Sequence, residues 1–190
     1  MKHKSIVIFA SGSGSNAENI VRFFNSREDV KISRILSNRK DAYVHKRAKS
    51  LGINSLTFSK EEFKTKEFAE KLVKSGTDLI VLAGFLWLIP TTLIDRFPGR
   101  IINIHPALLP KYGGKGMYGL NVHRAVLENG DSESGITIHY VNEAYDEGNI
   151  IFQAICPVHE DDTPESLAAR IHELEHEHYP RVIEGLLGDL

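Results

Sequence analysis

Short apolar runs alternate along the chain with longer stretches in which apolar residues recur every three or four positions. SIVIFA, residues 5–10, reads as a first strand, followed by a Gly/Ser turn and a helix from about Asn16. VKISRILS, residues 30–37, is a second strand. A helix over 41–50 leads into a short strand at 53–57, and a charged helix spans 60–75. Residues 77–85 form a continuous apolar run ending near a glycine, as expected of a strand buried on both faces. RIINIHP, residues 100–106, is the next strand. Strand, turn, helix and strand repeated in this way predict an α/β fold, a Rossmann-like, mostly parallel twisted sheet with helices on both faces.

The pattern changes after that. Residues 135–141 and 150–158 are two strands separated only by a polar stretch containing Asp146, Glu147 and Gly148. With no helix between them they should form an antiparallel C-terminal pair. A long closing helix begins at Pro164. Thr163 suits its N-cap, Pro164 its first turn, and Glu165 its dipole. Leu167, Ile171 and Leu174 recur at helical spacing and should face the core. Pro180 should kink or interrupt this helix.

Composition narrows the class. A chain of 190 residues fits a single domain, 1–190. A net charge of −2 argues against a nucleic-acid partner. The single cysteine, Cys156, allows no internal disulfide and permits a reducing compartment. The apolar run Ile6–Ala10 is too short for a signal-peptide core or a membrane span, so a cytoplasmic protein with no membrane partner is expected.

Four places carry candidate chemistry. Ser11-Gly12-Ser13-Gly14-Ser15-Asn16 follows the first strand and opens a helix. Two glycines allow close backbone approach, and helix N-terminal N–H groups favour an anion. The same segment fits G-x-G-x-x-A through Gly12, Gly14 and Ala17. The acid that a dinucleotide site expects after strand two is replaced by Ser37-Asn38-Arg39-Lys40. At the end of the fifth strand, Asn103 and His105 are two residues apart and project to one face. Histidine titrates near neutrality, and an asparagine amide can donate to a developing oxyanion. Asp146 lies in the turn between the last two strands and matters only if the fold brings it to His105. There it would orient the imidazole and favour its protonated form. Finally, His172-Glu173-Leu174-Glu175-His176 matches H-E-x-x-H on a helix, but no suitable third ligand follows it. A polar helix face with no metal is the better reading, with Glu175 free to meet a ligand. Trp87 reads equally as pocket wall or core. The loop 111–119, with four glycines, reads as a lid or plain surface.

The motifs converge on a resemblance. SGSGSN (11–16), LAGF (82–85), NIHPALLPKY (103–112), HRAVLENGD (123–131), the D-x-G at 146–148 and the IIFQA that follows occur in one order along the chain. So does the final helix with Leu174-Glu175-His176 and Tyr179-Pro180. Together they resemble the phosphoribosylglycinamide formyltransferase family of the folate-dependent formyltransferase superfamily. The resemblance implies transfer of a formyl group from 10-formyltetrahydrofolate to the primary amine of glycinamide ribonucleotide, in purine biosynthesis. It implies catalytic roles for Asn103, His105 and Asp146, with His105 as proton donor. Gly14, Ser15 and Asn16 would hold the substrate phosphate, and Glu175 the ribonucleotide, with His172 nearby. Leu86, Trp87, Leu88 and Ile89, with Asn142, Glu143, Ala144 and Tyr145, would contact the pterin. Lys66 stands where relatives can carry a basic folate contact. No metal is implied, and a monomer or weak homodimer is expected. Two departures stand out. The loop from Gly113 to Asn121 is longer than usual, and Glu147-Gly148-Asn149 replaces an expected Gly-Gly-Pro. Another folate-dependent formyltransferase, a formyltetrahydrofolate hydrolase and a non-catalytic nucleotide-binding module remain as alternatives.

Overall fold

Among the described residues, seven strands form one sheet: β1 (Lys4–Phe9), β2 (Val30–Ser37), β3 (Ser55–Thr57), β4 (Leu79–Leu82), β5 (Ile101–His105), β6 (Glu133–Tyr140) and β7 (Ile150–Pro157). The structure, a computed structural model, describes residues 3–189; residues 1, 2 and 190 of the expected domain lie outside the described residues. The strand order is β3-β2-β1-β4-β5-β6-β7. β1 to β5 pair in parallel, and β6 and β7 add antiparallel at one edge, as expected from the missing helix between them. After β3 the chain crosses back to lay β4 on the other side of β1. Ligands bind at such a reversal, outside the C-terminal ends of the strands.

The helices are α1 (Ser15–Phe24), α2 (Val44–Ser50), α3 (Lys60–Phe63), α4 (Lys66–Lys74), α5 (Thr91–Ile94), α6 (Leu120–Glu128) and α7 (Pro164–Asp189). Strand alternation divides the core between the two faces. Ile6 and Ile8 pack with α1, α2 and α7, whereas Val7 and Phe9 enter a second cluster with Phe58, Phe63, Phe68 and Phe85. Phe9 meets Phe85 edge-on at 5.4 Å between ring centroids. The core fixes β1 and β4 on both faces, and so fixes the loops at their C-terminal ends.

The structure corrects the expected elements at three places. The charged helix over 60–75 is two helices. Ser59 Oγ caps α3 by accepting from Glu62 N, and Thr65 Oγ1 caps α4 by accepting from Phe68 N. Two N-caps six residues apart cannot belong to one helix. The short α5 and the α6 helix were not foreseen. In α6, only Val122, His123 and Val126 are buried, a narrow face that includes a polar ring. Pro180 does not interrupt α7, which runs to Asp189. A proline there leaves the His176 carbonyl without its helical donor. Asn19 Nδ2 supplies one at 2.7 Å, and Tyr179, Pro180, Ile183 and Leu187 are buried along the continuing face.

Candidate active site

Glycine is required where β1 turns into α1. Gly14 has φ 75°, in the left-handed region, and a Cβ there would lie 2.3 Å from Val44 Cγ2. With Gly14 at the N-cap, no side chain caps the first turn of α1. Ser11 is buried, its N–H donates to Gly84 O, and its Oγ accepts from Leu86 N at 3.0 Å. The loop after β1 is thus tied to the loop after β4. Asn16 Nδ2 donates to Glu175 Oε2 at 2.8 Å, and His172 Nδ1 donates to the same oxygen at 3.1 Å. The Asn16 Oδ1 atom is buried without a partner among the described residues. A carboxylate and an unpartnered amide oxygen side by side suit a ligand that brings N–H or O–H donors.

Antiparallel pairing of β5 with β6 sets the second group. Asn103 lies opposite His139, and His105 opposite Thr137. Asn103 Nδ2 is 3.2 Å from His139 Nε2 and 3.4 Å from Asp146 Oδ1. His139 Nδ1 donates to Tyr140 O at 2.9 Å, which leaves its Nε2 as the atom facing the Asn103 amide. His105 Nε2 donates to the Tyr112 carbonyl at 2.7 Å, and its Nδ1 lies 3.5 Å from Asp146 Oδ2. Asp146 has φ 58°, a conformation its short polar side chain tolerates, and Oδ2 accepts from Gly114 N at 2.9 Å. The fold therefore brings Asn103, His105 and Asp146 together, although Asn103 and Asp146 are 43 positions apart in sequence.

Electrostatics in this cluster pull in two directions. Burial pushes the His105 imidazole below its ordinary pKa, while Asp146 and the Tyr112 carbonyl pull it back up. Burial by itself would raise the Asp146 carboxyl. Hydrogen bonding from His139, the His105 imidazole and the Gly114 N–H outweigh it and hold Asp146 below the usual carboxylate range. At neutral pH the pair is a carboxylate beside a neutral imidazole that has one open nitrogen, Nδ1.

One cavity of about 910 Å³ joins both groups. Gly14, Ser15, Asn16, His172 and Glu175 line it at one side, and Asn103, His105 and Asp146 at another. Leu86, Trp87, Leu88 and Ile89 all contribute to its wall, as do Ala144 and Tyr145. Leu86 and Leu88 are exposed there, an apolar surface suited to a flat ring; Trp87 also packs edge-on to Phe58. Lys66, Asn142 and Glu143 are not brought to the wall. Lys66 is exposed at the first residue of α4, and Glu143 faces solvent. Asn142 Oδ1 instead accepts from Ala144 N and shapes the turn. The 111–119 loop is not plain surface, since residues 114–119 form part of the cavity wall.

Sequence reasoning missed His139, buried among apolar residues of β6, and His123, buried on α6 and lining the cavity. A titratable ring within the otherwise uncharged stretch GITIHYV was the available signal for His139. Its partnership with Asn103 depends on register. The H-E-x-x-H pattern is a helix face, with Glu173 exposed and Glu175 engaged by Asn16 and His172. Among the described residues no group of three or more His, Cys, Asp or Glu side chains is arranged to hold a metal ion.

Residues 4–183 match the model of a family described as formyl transferase. The chain belongs to the formyl transferase family. It is 43% identical, over 97% of its length, to a chloroplastic phosphoribosylglycinamide formyltransferase of Arabidopsis thaliana, and 40% identical, over 97%, to the phosphoribosylglycinamide formyltransferase of Bacillus subtilis. The chain spans 66% of the Arabidopsis relative and 62% of a second plant relative from Vigna unguiculata, but 95% of the Bacillus one. A crystal structure of phosphoribosylglycinamide formyltransferase from Anaplasma phagocytophilum superposes with a TM-score of 0.88 at 35% identity, covering 99% of this chain and 89% of that one. The expected α/β sheet with its antiparallel edge is thus the family's architecture.

Proposed function

We propose that this formyl transferase moves the formyl group of 10-formyltetrahydrofolate onto the primary amine of glycinamide ribonucleotide, the reaction for which its relatives are named, as a step of purine biosynthesis. One observation carries the reading. Asn103, His105 and Asp146 share a single cavity with the uncapped N-terminus of α1 and with the Asn16–Glu175 pair. The first group suits acyl transfer, and the second suits a phosphorylated sugar with hydroxyl donors. The apolar wall at Leu86–Ile89 and Ala144–Tyr145 suits the pterin of the folate.

In the reaction the substrate amine attacks the formyl carbon, and a tetrahedral intermediate forms with negative charge on oxygen. The Asn103 amide donates to that oxygen. The His105 imidazole, neutral beforehand, takes up the amine proton at Nδ1 as negative charge develops beside it. Asp146 stabilises the imidazolium. The C–N bond to the folate then breaks, and the proton passes to the leaving folate nitrogen. The atoms balance as formylated amine and tetrahydrofolate, with no covalent enzyme intermediate. The protein acts on these small molecules as a monomer or weak homodimer in the cytoplasm, where a single unpaired cysteine, Cys156, is compatible with a reducing environment. Among the described residues no helix is long and apolar enough to cross a membrane.

The test is absorbance-monitored folate turnover by purified protein with 10-formyltetrahydrofolate, with and without glycinamide ribonucleotide. Turnover that requires the ribonucleotide is the expected result. Turnover without it points to a folate hydrolase. No turnover in either arm, from folded protein, overturns the reading in favour of another acceptor or a nucleotide-binding module.

A further inference from the structure

Tyr112 holds a conformation that a bulky residue rarely adopts. Its φ is 57°, the left-handed region, where an L side chain crowds its own backbone. Such strain persists only where neighbouring contacts over-determine it. Here the contact is specific. The Tyr112 hydroxyl donates to Asp131 Oδ2 at 2.9 Å. Asp131 is itself fixed, since Asn129 Nδ2 donates to its Oδ1 at 2.8 Å; the Lys111 ammonium, 3.1 Å from Oδ2, is largely exposed and adds little to the hold. The strained backbone points its carbonyl at His105 Nε2, 2.7 Å away. A carbonyl oxygen can only accept, so this contact fixes the proton on Nε2 and leaves Nδ1 turned to Asp146.

We propose that Tyr112 is a positioning residue for His105, its hydroxyl tethered to Asp131 so that its carbonyl sets the tautomer and orientation of the imidazole. Tyr112 does not line the main cavity. Its side chain borders a separate hollow of about 380 Å³ with Asp131 and Lys111, so it acts through His105 rather than by touching substrate. The following residues tighten the same link. Gly113 leaves no room for a Cβ, which would lie 2.7 Å from Leu109 Cδ2 and 3.3 Å from Asp146 Cβ, and Gly114 N donates to Asp146. One short segment thus holds both members of the His105–Asp146 pair, one from each side.

The value of this role for catalysis rests on the proposed formyl transfer, whereas the tautomer can be read without any turnover. The experiment is nitrogen-15 NMR of the His105 ring, together with kcat and KM, in wild type, Tyr112→Phe, Asp131→Ala, their double variant and Lys111→Ala. Phenylalanine keeps the ring and loses only the tether. In wild type the His105 signal should report a proton on Nε2. Tyr112→Phe and Asp131→Ala should each give a mixture of tautomers and lower kcat roughly tenfold, the scale of one hydrogen bond, with KM nearly unchanged. The double variant should do no worse than either single one. Lys111→Ala, which removes a largely exposed ammonium, should keep the wild-type signal. Should Tyr112→Phe fail to fold, Asp131→Asn keeps an acceptor oxygen and should give an intermediate tautomer ratio. An unmixed wild-type His105 signal in folded Tyr112→Phe or Asp131→Ala overturns the proposal. If wild type transfers no formyl group, the functional reading falls while the NMR arms still decide the role of Tyr112.

Discussion

Asp146 sits in a left-handed turn with three neighbours aimed at it: the His105 and His139 rings and the Gly114 N–H. Replacing it by asparagine keeps the shape and removes the charge that would stabilise an imidazolium. Asp146→Asn and His105→Ala should each lower kcat by roughly 10²- to 10⁴-fold, with far-ultraviolet circular dichroism unchanged. Near-wild-type turnover in both would remove them from the mechanism. His139 makes a different demand. It is buried, and its loss leaves the Asn103 amide and one Asp146 oxygen short of a neighbour. His139→Ala should cost about 1–3 kcal/mol in urea unfolding as well as activity. At this scale the sequence was partly legible. Asn103 and His105 share a strand face because alternation along a strand is a local rule. Asp146 joined them only through the resemblance, and His139 was unreadable, since its partner is set by the register of β5 on β6.

At the scale of elements, the hairpin between β6 and β7 aims Asp146, and Gly148 shapes it. A Cβ at Gly148 would lie 1.7 Å from the Tyr140 carbonyl oxygen, a backbone atom that cannot step aside alone. Gly148→Ala should therefore shift the turn and move Asp146 off the cluster. Displacements near 1 Å at a reacting group cost about 10²-fold, so kcat should fall on that scale while the protein still folds. The glycine is required although Glu147 and Asn149 depart from the expected neighbours. The other element-scale device is the passage of α7 through Pro180. Asn19→Ala removes the donor that replaces the missing helical N–H at His176. About 1–3 kcal/mol of stability should go with it, measured by urea titration. If Asn19→Ala is neutral, the His176 carbonyl has no need of that donor. The sequence showed a helix breaker because the helical pattern carries no trace of a tertiary partner 157 positions away. It likewise showed one charged helix over 60–75, because the charged pattern runs on unbroken and the caps at Ser59 and Thr65 declare themselves only through their bonds to Glu62 N and Phe68 N. The central strands β1 and β4 were the most legible part, because burial on both faces writes itself as an unbroken apolar run.

Across the whole molecule, three buried or half-buried imidazoles share one direction. His105, His123 and His176 are each held below the ordinary histidine value of 6.5, in every case chiefly by burial. A folded-state pKa below the unfolded one means that the unfolded chain binds protons first as pH falls. The stability from these groups is complete above the unfolded value. It is lost progressively as pH falls through 6.5 toward the folded values. Asp146 is also held low, but its contribution is present above the ordinary carboxylate value of 3.8 and is lost only as pH drops below it. The two sets therefore act in separate windows, histidines first and the carboxylate later. Unfolding free energy from urea titrations should be level between pH 7.5 and 8.5 and decline from about pH 6.5 downward, with a slope that counts the protons taken up on unfolding. His123→Gln should make that decline shallower, because it removes one of the buried titrating rings and leaves the Asn103–His105–Asp146 cluster in place. An unchanged slope in His123→Gln would mean that His123 takes up its proton equally well folded and unfolded, and that the fold does not resist its charging. The same resistance bears on catalysis. In the proposed transfer, a fold that keeps His105 neutral while Asp146 stays charged would place a proton acceptor beside an anion, ready to become a cation when a second negative charge forms on the substrate.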